Sequence, residues 1–152
     1  MGCLLLALFI CAQFTAINAA TNLQYVQAKI GNQEYRLEIA DTAAKRGQGL
    51  SARLLLKKNE GMLFVLPYPA KYKFVMDGMN FPLDFIWLMN NKVVDLIPNV
   101  PAVANIIFSP QEDINRVIEL NAGEISKNEV KIGSIIRLKQ FQLAGGSYFL
   151  DR

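Results

Sequence analysis

Apolar and polar residues alternate along much of this chain with the period of two that is typical of half-buried β-strands. The clearest case is residues 33–40. Its apolar positions are Tyr35, Leu37 and Ile39, and the positions between them are Glu34, Arg36 and Glu38. A looser alternation covers residues 24–30, and Gly31 and Asn32 between the two runs suit a tight turn. These residues therefore predict a β-hairpin.

Shorter apolar runs further along the chain predict more strands, and they lie at residues 61–66, 72–76, 83–89, 92–97, 116–120 and 134–140. Asp41 and Thr42 offer an N-cap for a helix, which is expected to continue with a bend to Arg53. One helical turn is predicted in residues 122–128. Six to eight short strands with one main helix predict a mostly β fold, a single-domain antiparallel β-sandwich or barrel with one short helix.

The N-terminal residues have the pattern of an export signal. Residues 4–12 are apolar and no charged side chain precedes Lys29, but the run is shorter than the roughly 20 residues that span a bilayer. Ala19 and Ala20 supply the small residues at which a signal peptidase cuts. The predicted divisions are a signal peptide at residues 1–19, one β-rich domain at 24–140 and a C-terminal tail at 141–152.

This signal predicts a periplasmic or extracellular protein with no membrane span in its mature form. No Lys or Arg precedes the apolar run, although an export signal usually begins with positive charge. The missing charge indicates that the true start codon lies upstream of Met1. The alternative to a cleaved signal is an uncleaved N-terminal segment that anchors the chain in a membrane.

Composition argues against several kinds of chemistry. The 152-residue chain has no histidine, and its two cysteines, Cys3 and Cys11, lie within the predicted signal peptide. Nucleophilic systems with a histidine base, and zinc sites built from Cys and His, are therefore not expected. We expect no cofactor and no metal. The net charge of +3 is scattered along the chain, so nucleic acid is not an expected partner. The expected partner is an unidentified ligand or an envelope protein. The oligomeric state stays open.

Four residues are candidates for binding a ligand: Arg46, Arg53, Asp84 and Met76. The arginines are seven residues apart, which places them on one face of a continuous helix, where two guanidiniums can clamp a carboxylate or phosphate. Alternatively, they pair with acidic residues and hold the helix on the sheet. Asp84 is the preferred partner, because an unpaired carboxylate in an apolar strand is costly to bury. Met76 is one of several methionines whose thioethers either bind a soft metal or fill the core.

Several motifs occur together in a characteristic order. They are Ala40-Asp41-Thr42 with Arg46, Gly49-Leu50 and Arg53; Gly61 to Val65; Phe74-Val75-Met76 followed by Phe81 to Ile86; and residues 117–123 with 131–133. This combination resembles the domain of unknown function 192 family, small prokaryotic domains often preceded by a signal peptide. The resemblance covers roughly residues 24–139, and it implies a mostly β, sandwich-like fold and no established activity. The chain departs from the family pattern at Gly47, at Asp77-Gly78, and at Val75, where a tryptophan is usual.

These observations favour a non-catalytic binding or accessory module of the cell envelope. One alternative is a hydrolase or lyase that acts on envelope polysaccharide. It would need two carboxylates, for which Asp84 and Glu119 are the candidates. Another alternative is a structural or inhibitory module that binds a protein through an exposed apolar patch.

Overall fold

The hairpin predicted from the alternating residues is present in the structure, a computed structural model that describes residues 25–139. The strands are β1 (Tyr25–Ile30), β2 (Gln33–Ala40), β3 (Glu60–Ala70), β4 (Phe74–Val75), β5 (Leu83–Met89), β6 (Lys92–Val100), β7 (Ile107–Phe108), β8 (Ile114–Asn121) and β9 (Arg137–Lys139). The helices are α1 (Ala43–Gln48) and α2 (Glu124–Lys127). The prediction of a mostly β fold is confirmed.

Seven strands form one sheet in the order β6-β5-β8-β3-β2-β1-β9, and β4 pairs with β7 in a small separate sheet. The large sheet curls into a half-barrel. Its β2 and β3 strands run parallel, with Leu37 opposite Gly61. Parallel neighbours need a crossover connection, and residues 41–59, which include α1, provide it. The prediction of an all-antiparallel arrangement is wrong for this pair.

Apolar side chains are buried on both faces of the large sheet. The first face carries a cluster that includes Leu37, Ile86, Ile118 and Leu120. The second face carries another cluster, which includes Met62, Phe64, Phe85, Trp87 and Val117. Since β5 is buried on both sides, its sequence is apolar apart from Asp84 and does not alternate.

Gly61 in β3 lies between β2 and β8 at a position with no space for a side chain. A Cβ atom there would lie 2.6 Å from the backbone oxygen of Glu119 and 2.8 Å from Cδ2 of Leu37. Contacts this short are not tolerated in a packed interior. Only glycine therefore fits between β2 and β8 at this position.

Several boundaries differ from those predicted. The first helix ends at Gln48, because Gly49 has a positive φ of 51° that turns the chain away, so the predicted continuation to Arg53 is wrong. The strand predicted at residues 72–76 is reduced to β4, and β3 continues past Pro67 to Ala70. The predicted signal peptide and C-terminal tail lie outside the described residues. No helix within residues 25–139 is long and apolar enough to cross a membrane.

Candidate functional site

A cavity of about 340 Å³ opens beside the second face of the sheet. It is lined on one side by α1 and the loop that follows, and on the other by residues 72–79. Apart from Glu119, the buried lining is apolar and consists of Leu50, Phe64, Leu66, Met76 and Leu83. The more exposed lining includes the polar residues Arg46, Gln48, Ser51, Lys73 and Asp77. An apolar interior with polar groups near its opening is typical of a small-molecule site.

Glu119 is the acidic side chain that the sheet itself contributes to this cavity. It lies in β8, with Met62 of β3 opposite on one side and Phe85 of β5 on the other, and register partners share a face of the sheet. The residue is only 5% exposed. Burial raises the pKa of Glu119 to about 8, so the carboxyl keeps its proton at neutral pH.

The Glu119 carboxyl has no partner of its own. Within residues 25–139, neither a hydrogen bond nor an ion pair involves its side chain. Buried polar groups normally have partners, because leaving them unpaired costs stability. Glu119 is therefore a buried acid that faces a cavity and, within residues 25–139, has no side-chain partner.

Arg46 lines the cavity and also holds α1 on the sheet. Its Nη1 donates hydrogen bonds to the backbone oxygens of Asp41, at 2.7 Å, and Val65, at 2.9 Å. The helix begins as predicted, because Thr42 Oγ1 accepts a hydrogen bond from the backbone N–H of Lys45 at 3.2 Å. These contacts fix the wall of the cavity that α1 forms.

The opposite wall is formed by the segment around β4. Phe74 packs edge-on against Phe64, with ring centroids 5.5 Å apart, and its ring lies 6.1 Å from that of Trp87. The backbone oxygen of Gly78 accepts a hydrogen bond from the N–H of Ala52 at 2.9 Å, which joins this segment to the loop after α1. The two walls are therefore connected to each other as well as to the sheet.

Val75 also lines the cavity, and it is about half exposed. This is the position at which the resembled family usually has a tryptophan. A smaller side chain there leaves the opening wider than an indole would. The departure noted in the sequence therefore lies at the site and changes its shape.

Arg53 does not reach the cavity. Its Nη2 donates to Oε2 of Glu38 at 2.8 Å, and the two side chains are 37% and 10% exposed. Because α1 ends before Arg53, the helical spacing argument that placed it beside Arg46 is wrong. The two arginines bind different groups, and neither forms the predicted ion pair with Asp84.

Asp84 is fully buried on the first face of the sheet, with hydrogen bonds to two backbone N–H groups. Asn99 donates to its Oδ1 at 2.8 Å, and Ile125 donates to its Oδ2 at 2.6 Å. The N-cap residue of α2 is Gly123, which has no side chain to accept a bond. Asp84 therefore caps α2 from the neighbouring strand, and its role is structural.

The same helix is attached to β2 by a tyrosine. The hydroxyl of Tyr35 donates to Oε2 of Glu124 and accepts a bond from Nδ2 of Asn128 at 2.6 Å. Burial raises the pKa of Tyr35 above its ordinary value. Burial would also raise the pKa of Glu124, but hydrogen bonds from Lys127, Tyr35 and Asn128 hold it below its ordinary value. This network keeps α2 in place under Asp84.

Asp84 and Glu119 cannot act as a catalytic pair. In the register of β5 and β8, Asp84 lies opposite Leu120, whereas Phe85 lies opposite Glu119. Successive side chains of a strand point to opposite faces, so the two carboxyl groups are on different sides of the sheet. The paired-carboxylate mechanism that the sequence suggested has no geometric basis here.

Two of the four predicted binding residues, Arg46 and Met76, line the cavity, and Met76 is only 2% exposed. In the sequence, Glu119 was a candidate only as a second carboxylate beside Asp84. Its signal was an acidic residue within the apolar run of residues 117–120. Among residues 25–139, no group of three or more His, Cys, Asp or Glu side chains is placed to hold a metal ion.

Two solved structures have the same fold. One is a candidate transcription regulator from Sinorhizobium meliloti 1021, with a TM-score of 0.72 at 22% identity over 76% of this chain and 95% of that chain. The other is a protein of unknown function from Novosphingobium aromaticivorans DSM 12444, with a TM-score of 0.69 at 24% identity over 80% and 91% of the two chains. At these identities the similarity concerns the fold alone. No curated protein sequence matches the chain.

The family model of DUF192, described as "Uncharacterized ACR", matches residues 26–138. That range contains every residue that lines the cavity. It also agrees with the resemblance found in the ordered motifs of the sequence. This chain therefore belongs to the DUF192 family.

Proposed function

We propose that this protein is a non-catalytic binding module of the cell envelope, and that it binds a small amphipathic ligand in the cavity beside Glu119. The observation that carries the proposal is the buried carboxyl of Glu119, which faces the cavity and has no partner within the described residues 25–139. Groups kept at a cost to the fold are commonly kept for function. Perturbed pKa values also concentrate at functional sites.

The size and lining of the cavity support a small ligand. Its volume of about 340 Å³ lies within the range of small-molecule sites, at the lower end. The apolar lining would bury the body of the ligand, and the polar residues near the opening would leave its remaining groups in water. The opposite faces of Asp84 and Glu119 argue against a carboxylate-pair hydrolase. The envelope location rests on the apolar N-terminal run alone.

A fluorescent apolar probe, N-phenyl-1-naphthylamine, tests binding directly. Trp87 is the one tryptophan of the chain and lies 6.1 Å from Phe74, which lines the cavity. A probe in the cavity should therefore accept excitation energy from Trp87. We expect saturable binding to the full chain at a 1:1 ratio. Absence of saturable binding would refute the proposal.

A matched pair of variants at Gly47 identifies the binding site. Gly47 lines the cavity, and a Cβ atom there would meet no atom within 4 Å. Gly47→Ala should therefore fold normally and bind the probe like the wild type. Gly47→Phe should fold as well, but its ring would narrow the opening, and we expect probe affinity to fall at least about tenfold. Equal affinities in both variants would place the probe elsewhere.

A further inference from the structure

We infer that the ligand of this cavity is an organic cation, an ammonium group on an apolar body, and that the ammonium pairs with the carboxylate of Glu119. The inference rests on the proposed function, because it names the chemical class that the same cavity would bind. It depends on what surrounds Glu119 and on the group that is missing beside it.

The missing group is a cation. Arg46 lines the cavity, but its Nη1 is bonded to two backbone oxygens, and Lys73 is exposed. No Lys or Arg within residues 25–139 pairs with Glu119. The carboxyl can therefore accept hydrogen bonds from a ligand cation and balance its charge, because no cationic side chain of residues 25–139 is paired with it.

The aromatic lining favours the same class of ligand. Phe64, Tyr72 and Phe74 all line the cavity that Glu119 faces. The faces of such rings attract ammonium groups, and this attraction is strongest where water is excluded. A neutral acceptor would gain one hydrogen bond from the protonated carboxyl and nothing comparable from the rings. An ammonium would gain charge-assisted hydrogen bonds, which are roughly twice as strong as neutral ones.

This pairing makes binding depend on pH in a defined direction. Burial raises the pKa of Glu119 to about 8, so at lower pH a cation must displace the carboxyl proton. The other charged or titratable groups that line the cavity are Arg46 from α1 and Tyr72, Lys73 and Asp77 from the opposite wall. On the neighbouring strands, Met62 and Phe85 beside Glu119 do not titrate, and Glu38 of β2, further along the same row, is paired with Arg53. Affinity for an amine should therefore rise by up to about tenfold per pH unit from pH 6 towards 8, with release of one proton.

Three probes with one apolar body separate the possible ligand classes. They are 2-phenylethylamine, 2-phenylethanol and phenylacetate, titrated calorimetrically into the full chain from pH 6 to 9. Titrations in buffers of different ionisation enthalpy count the protons released. We expect the amine to bind at least about tenfold more tightly than the alcohol at pH 8, and to release close to one proton at pH 7. Tighter binding of the alcohol or the acid, or an amine affinity that falls as the pH rises, would overturn the inference.

Glu119→Gln provides the matched variant, since the amide keeps the shape of the side chain without its charge. It should lose at least about tenfold in amine affinity and all pH dependence, while its affinity for the alcohol stays within about twofold. The proton count in the wild type needs no variant, so the inference remains testable if Glu119→Gln folds poorly. The apolar probe N-phenyl-1-naphthylamine distinguishes failure of the cation inference from failure of the proposed binding function. If that probe binds and 2-phenylethylamine does not, the cation inference fails and the binding function stands. If neither compound binds, the cation inference and the binding function both fail.

Discussion

Replacing Glu119 with Gln should change how the stability of this protein depends on pH. The folded chain holds the pKa of Glu119 near 8, while the ordinary value, expected after unfolding, is 4.5. Between these values the unfolded chain releases the proton and the folded chain keeps it. Because the folded state then binds more protons, its stability falls as the pH rises through this window. The stabilisation is fully present below pH 4.5 and is lost by the time the pH passes 8.

The size of this effect follows from the two pKa values. They differ by about 3.5, and each pKa unit corresponds to about 1.4 kcal/mol, so the upper bound is about 5 kcal/mol. Part of this loss occurs below pH 5, and water that enters the cavity would reduce the penalty, so we expect a loss of roughly 2–4 kcal/mol between pH 5 and pH 9. This is a large share of the roughly 5–15 kcal/mol that stabilises a typical domain. Glu119→Gln cannot ionise and should lack this loss.

Urea denaturation followed by the fluorescence of Trp87 measures the effect, at pH values from 5 to 9. The difference in unfolding free energy between Glu119→Gln and the wild type should shift in favour of the variant as the pH rises. Glu112→Gln is the control, because Glu112 is exposed and the substitution makes the same change in charge. It should keep the slope of the wild type. If Glu119→Gln and Glu112→Gln have the same slope as the wild type, the carboxyl of Glu119 is not held protonated, and the reasoning is refuted.

The other predictions concern the scaffold and the N-terminus. Asp84→Asn should destabilise the fold by about 2–4 kcal/mol in urea denaturation, because one of two buried N–H donors would then face an amide NH₂; an unchanged midpoint would contradict the capping role. Gly61→Ala should cost more than about 2 kcal/mol, since its methyl group has no space between the central strands; normal stability would mean that the strands separate easily. Arg53→Ala and Glu38→Ala should each cost about 1–2 kcal/mol, and the double variant should cost less than their sum; additive effects would show that the ion pair contributes nothing. N-terminal sequencing of protein from the envelope fraction should find a mature chain that begins near Ala20, whereas an intact Met1 on cytosolic protein would exclude export.

The strands could be predicted from the sequence because alternation is a local property. The pattern in residues 33–40 identifies β2 and its buried face without any knowledge of the remaining chain. The apolar run of β5 was recognised in the same way, from its composition and its β-forming residues. The parallel pairing of β2 with β3 was missed, because it depends on where the chain returns after a connection of about twenty residues.

The site was harder to predict because side-chain partners depend on the face of the sheet. Asp84 and Glu119 looked equivalent in sequence, as single acids within apolar strands. Their positions in register differ by one residue, which puts one beside the N–H groups at α2 and the other beside a cavity. The positive φ of Gly49 also ends α1 before Arg53. The prediction that placed Arg53 beside Arg46 assumed one continuous helix, so it was wrong.

The cavity is lined partly by the central sheet, which contributes Glu119, and partly by a surface connection, and these two parts of the chain tolerate substitution to different degrees. Glu119 lies in the central strand β8, and a methyl group added at Gly61 in the neighbouring strand β3 would meet the backbone oxygen of Glu119. The wall that α1 forms belongs to the crossover connection between β2 and β3, and Gly47 and Gln48 in that wall are exposed. Surface connections tolerate substitution and changes in length far better than central strands do. Selection, or an engineer, can therefore vary which molecule fits this cavity through residues 41–59 while the acid that would recognise its charge stays where it is.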